Sequence, residues 1–343
     1  MKRVSLGATC AAFLLTTMGM AMINVANAKS PSVVISIKPL HALVTGVMTG
    51  VAKPTVLIKG GASPHATSLR PSDARLLQNA NIVFWTGDAL ETFLVKPLKS
   101  LSRKAKVIAL SKVPGITLRP IREKNLWQTN DHKNHDDHKN HDDHKKNDHD
   151  DHEDHKNHDD KGHEVHRHHV HQDFHIWLGH HNALAIVRAV AKNLSEYDPA
   201  NKVQYQHNAK HMTARLAKLH LDLTEILMPV RNVPYVVFHD AYQYFEADYG
   251  LKPIGALSTH EARAPGAKHL AAMRKKVFAH KPRCVFAEPQ FKPVLINTLI
   301  DGTATKAGTL DPIGARLTPG AGLYEKLMRN LARDITACFA STI

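Results

Sequence analysis

The sequence predicts an α/β protein of two lobes, each a mostly parallel sheet flanked by helices, joined by one long helix. Three observations carry this. Short β-branched runs alternate with helical stretches in both halves of the 343 residues, which is the rhythm of a parallel sheet covered on both faces. Between the halves, residues 202–228 hold a helical apolar pattern (Val203, Met212, Leu216, Leu219, Leu223, Leu227) with no Gly or Pro until Pro229. The length suffices for two domains of ordinary size, each with its own core.

The elements follow in order. Lys2 and Arg3, an apolar stretch from Ala11 to Ile23 and the small-x-small site Ala26-Asn27-Ala28 read as a signal peptide over 1–28, with Lys29 as the mature start. The apolar run falls short of the ~20 residues a membrane span needs, so export is expected. The first lobe is expected over 29–201. Val33-Val34-Ile35-Ser36-Ile37, Thr55-Val56-Leu57-Ile58, Ile82-Val83-Phe84-Trp85 and Val107-Ile108-Ala109-Leu110 read as its strands. A helix follows the first strand from Leu40 to Met48, and Ser72 is the expected cap of another. After the linking helix, the second lobe is expected over 229–343. Its strands are read at 235–238, 253–257, 284–287 and 308–310, and its last helix at 324–339.

Residues 131–171 break this rhythm. Asp131-His132-Lys133-Asn134-His135-Asp136-Asp137 is nearly repeated by His138-Lys139-Asn140-His141-Asp142-Asp143, and the tract has almost no apolar residue. It cannot bury a core and is expected to be a disordered loop. It contains 14 of the 26 histidines and 13 carboxylates against 7 Lys/Arg, so the rest of the chain is more basic than the overall +14. A basic exported body could meet nucleic acid, but no recognition motif or basic repeat is present. The basic surface is better matched to the acidic tract, a membrane surface or a partner protein.

Outside the leader only Cys284 and Cys338 remain. An even pair in an oxidising compartment is expected to form a disulfide. A thiolate metal site would need nearby partners, and no C-x-x-C spacing exists.

Of the remaining histidines, His207, His211, His220, His269 and His280 lie in polar or basic helical settings and are expected to be solvated. Solvation is also favoured for His41 and His260, while His180 and His181 follow a Gly and should cap or precede a helix. Three differ in setting. His65 lies in a loop after a strand and Gly60-Gly61. His175 lies in the apolar run Phe174-His175-Ile176-Trp177-Leu178, where an unpartnered imidazole would be costly to bury. His239 ends the apolar strand Tyr235-Val236-Val237-Phe238, placed to look into a crevice. Asp311, in Thr309-Leu310-Asp311-Pro312, is a fourth candidate at a strand end. Three neutral imidazoles and one oxygen suit tetrahedral Zn²⁺, whereas a carboxylate-rich set would suit Mn²⁺ or Mg²⁺. The spacing matches no local zinc motif, and there is no His-Glu-x-x-His, Gly-x-Ser-x-Gly or phosphate-cradling glycine loop.

Six stretches, in order, resemble the zinc-binding solute-binding proteins of ABC transporters of the ZnuA type. They are Gly60-Gly61-Ala62-Ser63-Pro64-His65, Ser68-Leu69-Arg70-Pro71-Ser72-Asp73, His175-Ile176-Trp177-Leu178, Phe238-His239-Asp240-Ala241-Tyr242, Phe286-Ala287-Glu288-Pro289-Gln290-Phe291 and Thr309-Leu310-Asp311-Pro312. The resemblance spans essentially the whole mature chain. It implies zinc held between the lobes by His65 and His175 from the first and His239 from the second. Members often carry a glutamate immediately before the first histidine, where this chain has Pro64, so the fourth position falls to Asp311, to water or to a group not identified. In manganese-specific relatives the residue matching Asp311 coordinates and that matching His239 can be glutamate; histidine at 239 favours zinc. The resemblance also implies a Cys284–Cys338 bond and a monomer that docks on a membrane permease driven by an ATPase, without catalysis. The tract would hold several ions weakly beside one tight site. Manganese or nickel is the alternative within this class. The rival from another class is an exported zinc hydrolase, with Asp240 or Glu288 as base.

Overall fold

The computed structural model describes residues 30–122, 172–258, 266–291 and 294–340. The expected signal peptide, the 131–171 tract and His260 lie outside the described residues. Among the described residues no helix is long and apolar enough to cross a membrane.

In the first lobe β1 (Val33–Ile35) leads to α1 (Lys38–Val47), β2 (Thr55–Val56), α2 (Pro71–Gln78), β3 (Ile82–Trp85), α3 (Val95–Leu101) and β4 (Lys106–Ala109). The strands form one parallel sheet in the order β2-β1-β3-β4. Helix α2 starts earlier than a Ser72 cap would require. Pro71 has φ pre-set for the first helical turn, Arg70 stands at the cap, and its amide donates to Asp73 Oδ2 at 3.2 Å.

A short antiparallel ribbon follows, β5 (Arg119–Pro120) with β6 (Gln172–Asp173), pairing Arg119 with Asp173 and Pro120 with Gln172. Helix α4 (His180–Tyr197) then packs along α5 (Lys202–Leu227). Gly179 is the N-cap and His180 the first residue of α4, so His180 and His181 lie inside the helix rather than capping or preceding it.

The second lobe runs β7 (Tyr235–His239), α6 (Gln243–Tyr249), β8 (Pro253–Ser258), α7 (Ala267–His280), β9 (Cys284–Ala287), α8 (Val294–Ile300), β10 (Lys306–Thr309) and α9 (Leu323–Ala340). Its sheet is also parallel, in the order β10-β9-β7-β8. Gly250 ends α6 in the left-handed conformation, φ +69°, where a side chain would be strained. A disulfide joins Cys284 on β9 to Cys338 on α9.

Helix α5 buries Tyr205, Met212, Leu216, Leu219, Leu223 and Leu227, spaced three, four or seven residues apart, so that one stripe faces inward. That stripe belongs to a single hydrophobic core including α1 and α4 of the first lobe and α9 of the second. Helix α1 approaches α5 closely because position 46 is glycine: a Cβ there would lie 2.5 Å from the Met212 sulfur. The lobes are thus backed by a continuous packed layer, and the functional side chains lie where the strand ends meet.

Candidate metal centre

His239 is the last residue of β7, in register with Ser258 of β8 and fully buried. The β-branched and aromatic residues before it are buried on both faces of the sheet, which fixes the strand and delivers the imidazole at its carboxyl end. Glu288 directly follows β9, the neighbouring strand, and its Oε1 lies 3.5 Å from His239 Nδ1.

His175 follows β6. Asp173 Oδ1 accepts the His175 backbone N–H at 2.9 Å and lies 2.7 Å from Nδ1 of its ring. A carboxylate at Nδ1 holds the proton there and leaves Nε2 as the lone-pair donor. Asp173 is in turn fastened across the lobes: its carbonyl accepts the Tyr244 hydroxyl at 2.6 Å, and that hydroxyl accepts the Arg119 amide at 3.0 Å. The following turn is tied down too, with Trp177 Nε1 donating to the Pro312 carbonyl at 2.8 Å and Tyr324 to the Trp177 carbonyl at 2.6 Å.

His65 is half-buried in the loop between β2 and α2, its amide bonded to Ser63 Oγ at 3.2 Å. Its Nε2 stands 3.2 Å from His175 Nε2. The ring centroids lie 5.3 Å apart for His65 and His175, 5.4 Å for His65 and His239, and 4.8 Å for His175 and His239. One ligand nitrogen from each of the three lies within 4.8 Å of the others. Zn–N bonds of 2.0–2.1 Å in a tetrahedron set neighbouring nitrogens roughly 3.3 Å apart, so the His65–His175 separation is already that of two ligands on one ion. The cleft beside them, of about 120 Å³, is also lined by Asp173 and Asp240.

Asp311 is not brought into this group. Its Oδ1 accepts the Ile313 amide at 3.2 Å, and it lines a groove of about 480 Å³ between β10 and α9. Burial raises its pKa, opposed by backbone amides from Ile313 to Arg316. Its Oδ1 thus helps shape its own loop. That loop is gripped from the first lobe by Lys38, whose Nζ donates to the carbonyls of Gly314, Ala315 and Leu317 at 3.2, 2.8 and 3.2 Å.

Other histidines depart from expectation. His41 is buried rather than solvated, with Nε2 3.1 Å from the Pro54 carbonyl, and burial lowers its pKa. His220 is half-buried and stacks on His180 with ring centroids 4.3 Å apart. His207 and His211 are exposed, as expected. Sequence reasoning missed Asp173, whose signal was its position two residues before His175. It noticed Glu288 only as a candidate base.

Two parallel α/β lobes with an imidazole trio at their junction, two of its rings buried and one half-buried, define a two-lobed protein able to hold a divalent metal. The family model for the periplasmic zinc-uptake complex component A, ZnuA, matches residues 33–338. The high-affinity zinc uptake system protein ZnuA of Brucella suis biovar 1 (strain 1330) is 44% identical over 308 residues, covering 90% of this chain and 91% of that one. The protein of the same name from Haemophilus ducreyi is 39% identical over 326 residues, covering 95% and 99%. A crystal structure of ZnuA superimposes with a TM-score of 0.70 at 22% identity, covering 91% of this chain and all of that one. The chain belongs to the ZnuA family.

Proposed function

We propose that this protein captures Zn²⁺ in the periplasm with high affinity and delivers it to the membrane permease of an ABC-type uptake system. The observation that carries this reading is the trio itself: His65, His175 and His239, drawn from both lobes, with carboxylates beside the Nδ1 atoms of His175 and His239. Three neutral nitrogen donors favour zinc over manganese, whose preferred ligands are oxygens. The fourth position falls to water, to a group not identified or to Asp311, whose Oδ1 already accepts the Ile313 amide. Docking on the permease, with an ATPase as motor, rests on membership of the family.

The reading is of binding without turnover. Each residue nominated as a hydrolytic base is otherwise engaged: Glu288 faces His239 Nδ1, and Asp240 is paired with Arg122. The domain division at 201/202 and 228/229, secretion with cleavage after Ala28 and a monomeric state belong to the same proposal. So do weak sites in residues 131–171, whose histidines and carboxylates raise the local metal concentration.

Calorimetric titration of the mature chain with zinc tests the assignment. His239→Ala is expected to abolish the tight site, and His65→Ala, which removes a half-buried loop ligand, to leave more affinity. Unchanged tight-site affinity in His239→Ala would refute it. Because the ligands must be neutral, affinity is expected to fall as pH drops below about 6.5.

A further inference from the structure

Arg122 makes the most concentrated polar contact between the ribbon of the first lobe and the second lobe. Its Nε donates to Asp240 Oδ2 at 3.0 Å, and its Nη2 reaches both Asp240 Oδ1 and Glu246 Oε2, the latter at 2.9 Å. The side chains of Asp240 and Glu246 are 3% and 4% exposed, that of Arg122 25%. A planar guanidinium gripping one carboxylate through two nitrogens and a second through one of them is a directional contact that a point charge does not reproduce.

Both ends of this contact lead to the metal centre. On one side Arg122 lies two residues beyond β5, whose partner β6 contains Asp173, the carboxylate that orients His175. On the other, Asp240 immediately follows His239, and its amide donates to the Ser258 carbonyl of β8 at 3.1 Å, so the turn moves with the sheet. Glu246 is anchored within the second lobe by the Tyr235 hydroxyl at 3.2 Å. A second bond runs in parallel, Gln243 Nε2 to the Pro120 carbonyl at 3.1 Å. The carriers of His175 and His239 are therefore fastened to each other independently of any ion.

We propose that Arg122 is a positioning residue that sets the lifetime of bound zinc. Its forked contact to Asp240 and Glu246, together with the parallel Gln243–Pro120 bond, holds the His175 side of the site against the His239 side, so the two imidazoles separate more readily once that contact opens. The inference rests on the histidine trio being the zinc site. These contacts of Arg122 go to carboxylates rather than to the rings, so its loss is expected to change how fast the ion leaves rather than which atoms hold it.

The test loads the mature full-length chain with one equivalent of Co²⁺, whose visible absorption reports the imidazole ligand set, and follows release into excess EDTA by stopped flow. Arg122→Gln is expected to release the ion roughly tenfold faster with an unchanged spectrum, the size of effect that groups supporting metal ligands exert. Arg122→Lys, which keeps the charge but not the fork, should fall between the two. Removing Arg122 alone leaves two buried carboxylates facing each other, so Arg122→Met with Glu246→Gln provides a variant with less buried charge; it should also release fast. Release within twofold of the parent in both Arg122→Gln and the double variant overturns the proposal. A changed Co²⁺ spectrum also overturns it, since Arg122 would then be shaping the coordination itself. If the parent shows no imidazole-type Co²⁺ spectrum, the zinc-site assignment fails first and the lock falls with it.

Discussion

Replacing Asp173 isolates what a carboxylate contributes to the zinc site without touching a proposed ligand. One oxygen, Oδ1, receives the backbone N–H of His175 at 2.9 Å and stands 2.7 Å from Nδ1 of its ring, and the residue is only 4% exposed. Two effects follow. The acceptor fixes the ring's tautomer and direction, and the negative charge adds to the electrostatic hold on a bound cation. Asp173→Asn keeps an acceptor oxygen and removes the charge; Asp173→Ala removes both. Losing a group that supports a metal ligand typically costs 10–100-fold in affinity, about 1.4–2.7 kcal/mol. Asp173→Asn is therefore expected near the lower figure and Asp173→Ala near the upper. The assay is competition for zinc against a chromophoric chelator of known affinity at pH 7.5, with thermal unfolding of the apo-protein as control. The Tyr244 bond goes to the Asp173 backbone carbonyl and should survive both changes. If both variants bind zinc within twofold of the parent, the ring of His175 is oriented by packing against its neighbours and the carboxylate argument fails.

Deleting residues 131–171 should remove the weak zinc sites and leave one tight site; calorimetry showing loss of the tight site would contradict that division. Converting Cys284 and Cys338 to alanine opens a link spanning 54 positions, which the chain-entropy relation values at about 4 kcal/mol. Urea unfolding should report that loss, while zinc affinity stays within a few-fold because neither cysteine belongs to the histidine group. Burial, helped by the nearby His220 and His181, lowers the pKa of His180 to about 4. The unfolded chain therefore takes up this proton first, near pH 6.5. The folded state loses stability as pH falls from there towards 4, and the loss is complete below it. His180→Asn should flatten that part of the apo-protein's stability profile, and an unchanged slope would refute the assignment.

How much of this was legible in the sequence depended on what signal each element leaves. Buried parallel strands are continuous β-branched runs, so β1, β3, β7 and β9 could be read directly, and the stripe on α5 fixed the linking helix to within a residue. The ribbon β5–β6 could not be read, because each strand is two residues long and its partner lies beyond the His/Asp tract. That hid Asp173 and Arg122 together. Asp173 also sits just after a segment crowded with aspartates, where one more carries no contrast. Asp311 looked like a ligand because it ends a strand. The structure turns it to its own loop, which bends back through Gly314 at φ +68° and presents backbone amides to the carboxylate. His41 and His220 looked solvated because their partners, the Pro54 carbonyl and the His180 ring, come from other elements.

The architecture constrains how an ion can leave. Separating the lobes as rigid bodies would pull α1 and α4 from α9 across α5, exposing a core that includes Leu216, Leu219, Leu223 and Leu227. Each buried side chain of that kind is worth about 1.5–3 kcal/mol, so a wide hinge opening is far costlier than a local change at the cleft. The three proposed ligands are not equal in this respect. His239 belongs to a strand and is fully buried; His175 is held by Asp173 and by the tied-down turn at Trp177. His65 alone of the three is half-buried and sits in a loop without regular structure. If the trio holds zinc as proposed, His65 is expected to detach first, leaving the ion on His175 and His239. Whether the ion then returns or escapes depends on how firmly those two rings are kept together, which is the step at which Arg122 would act. On that reading, tight binding and release by a local change are compatible in a molecule whose lobes share one core.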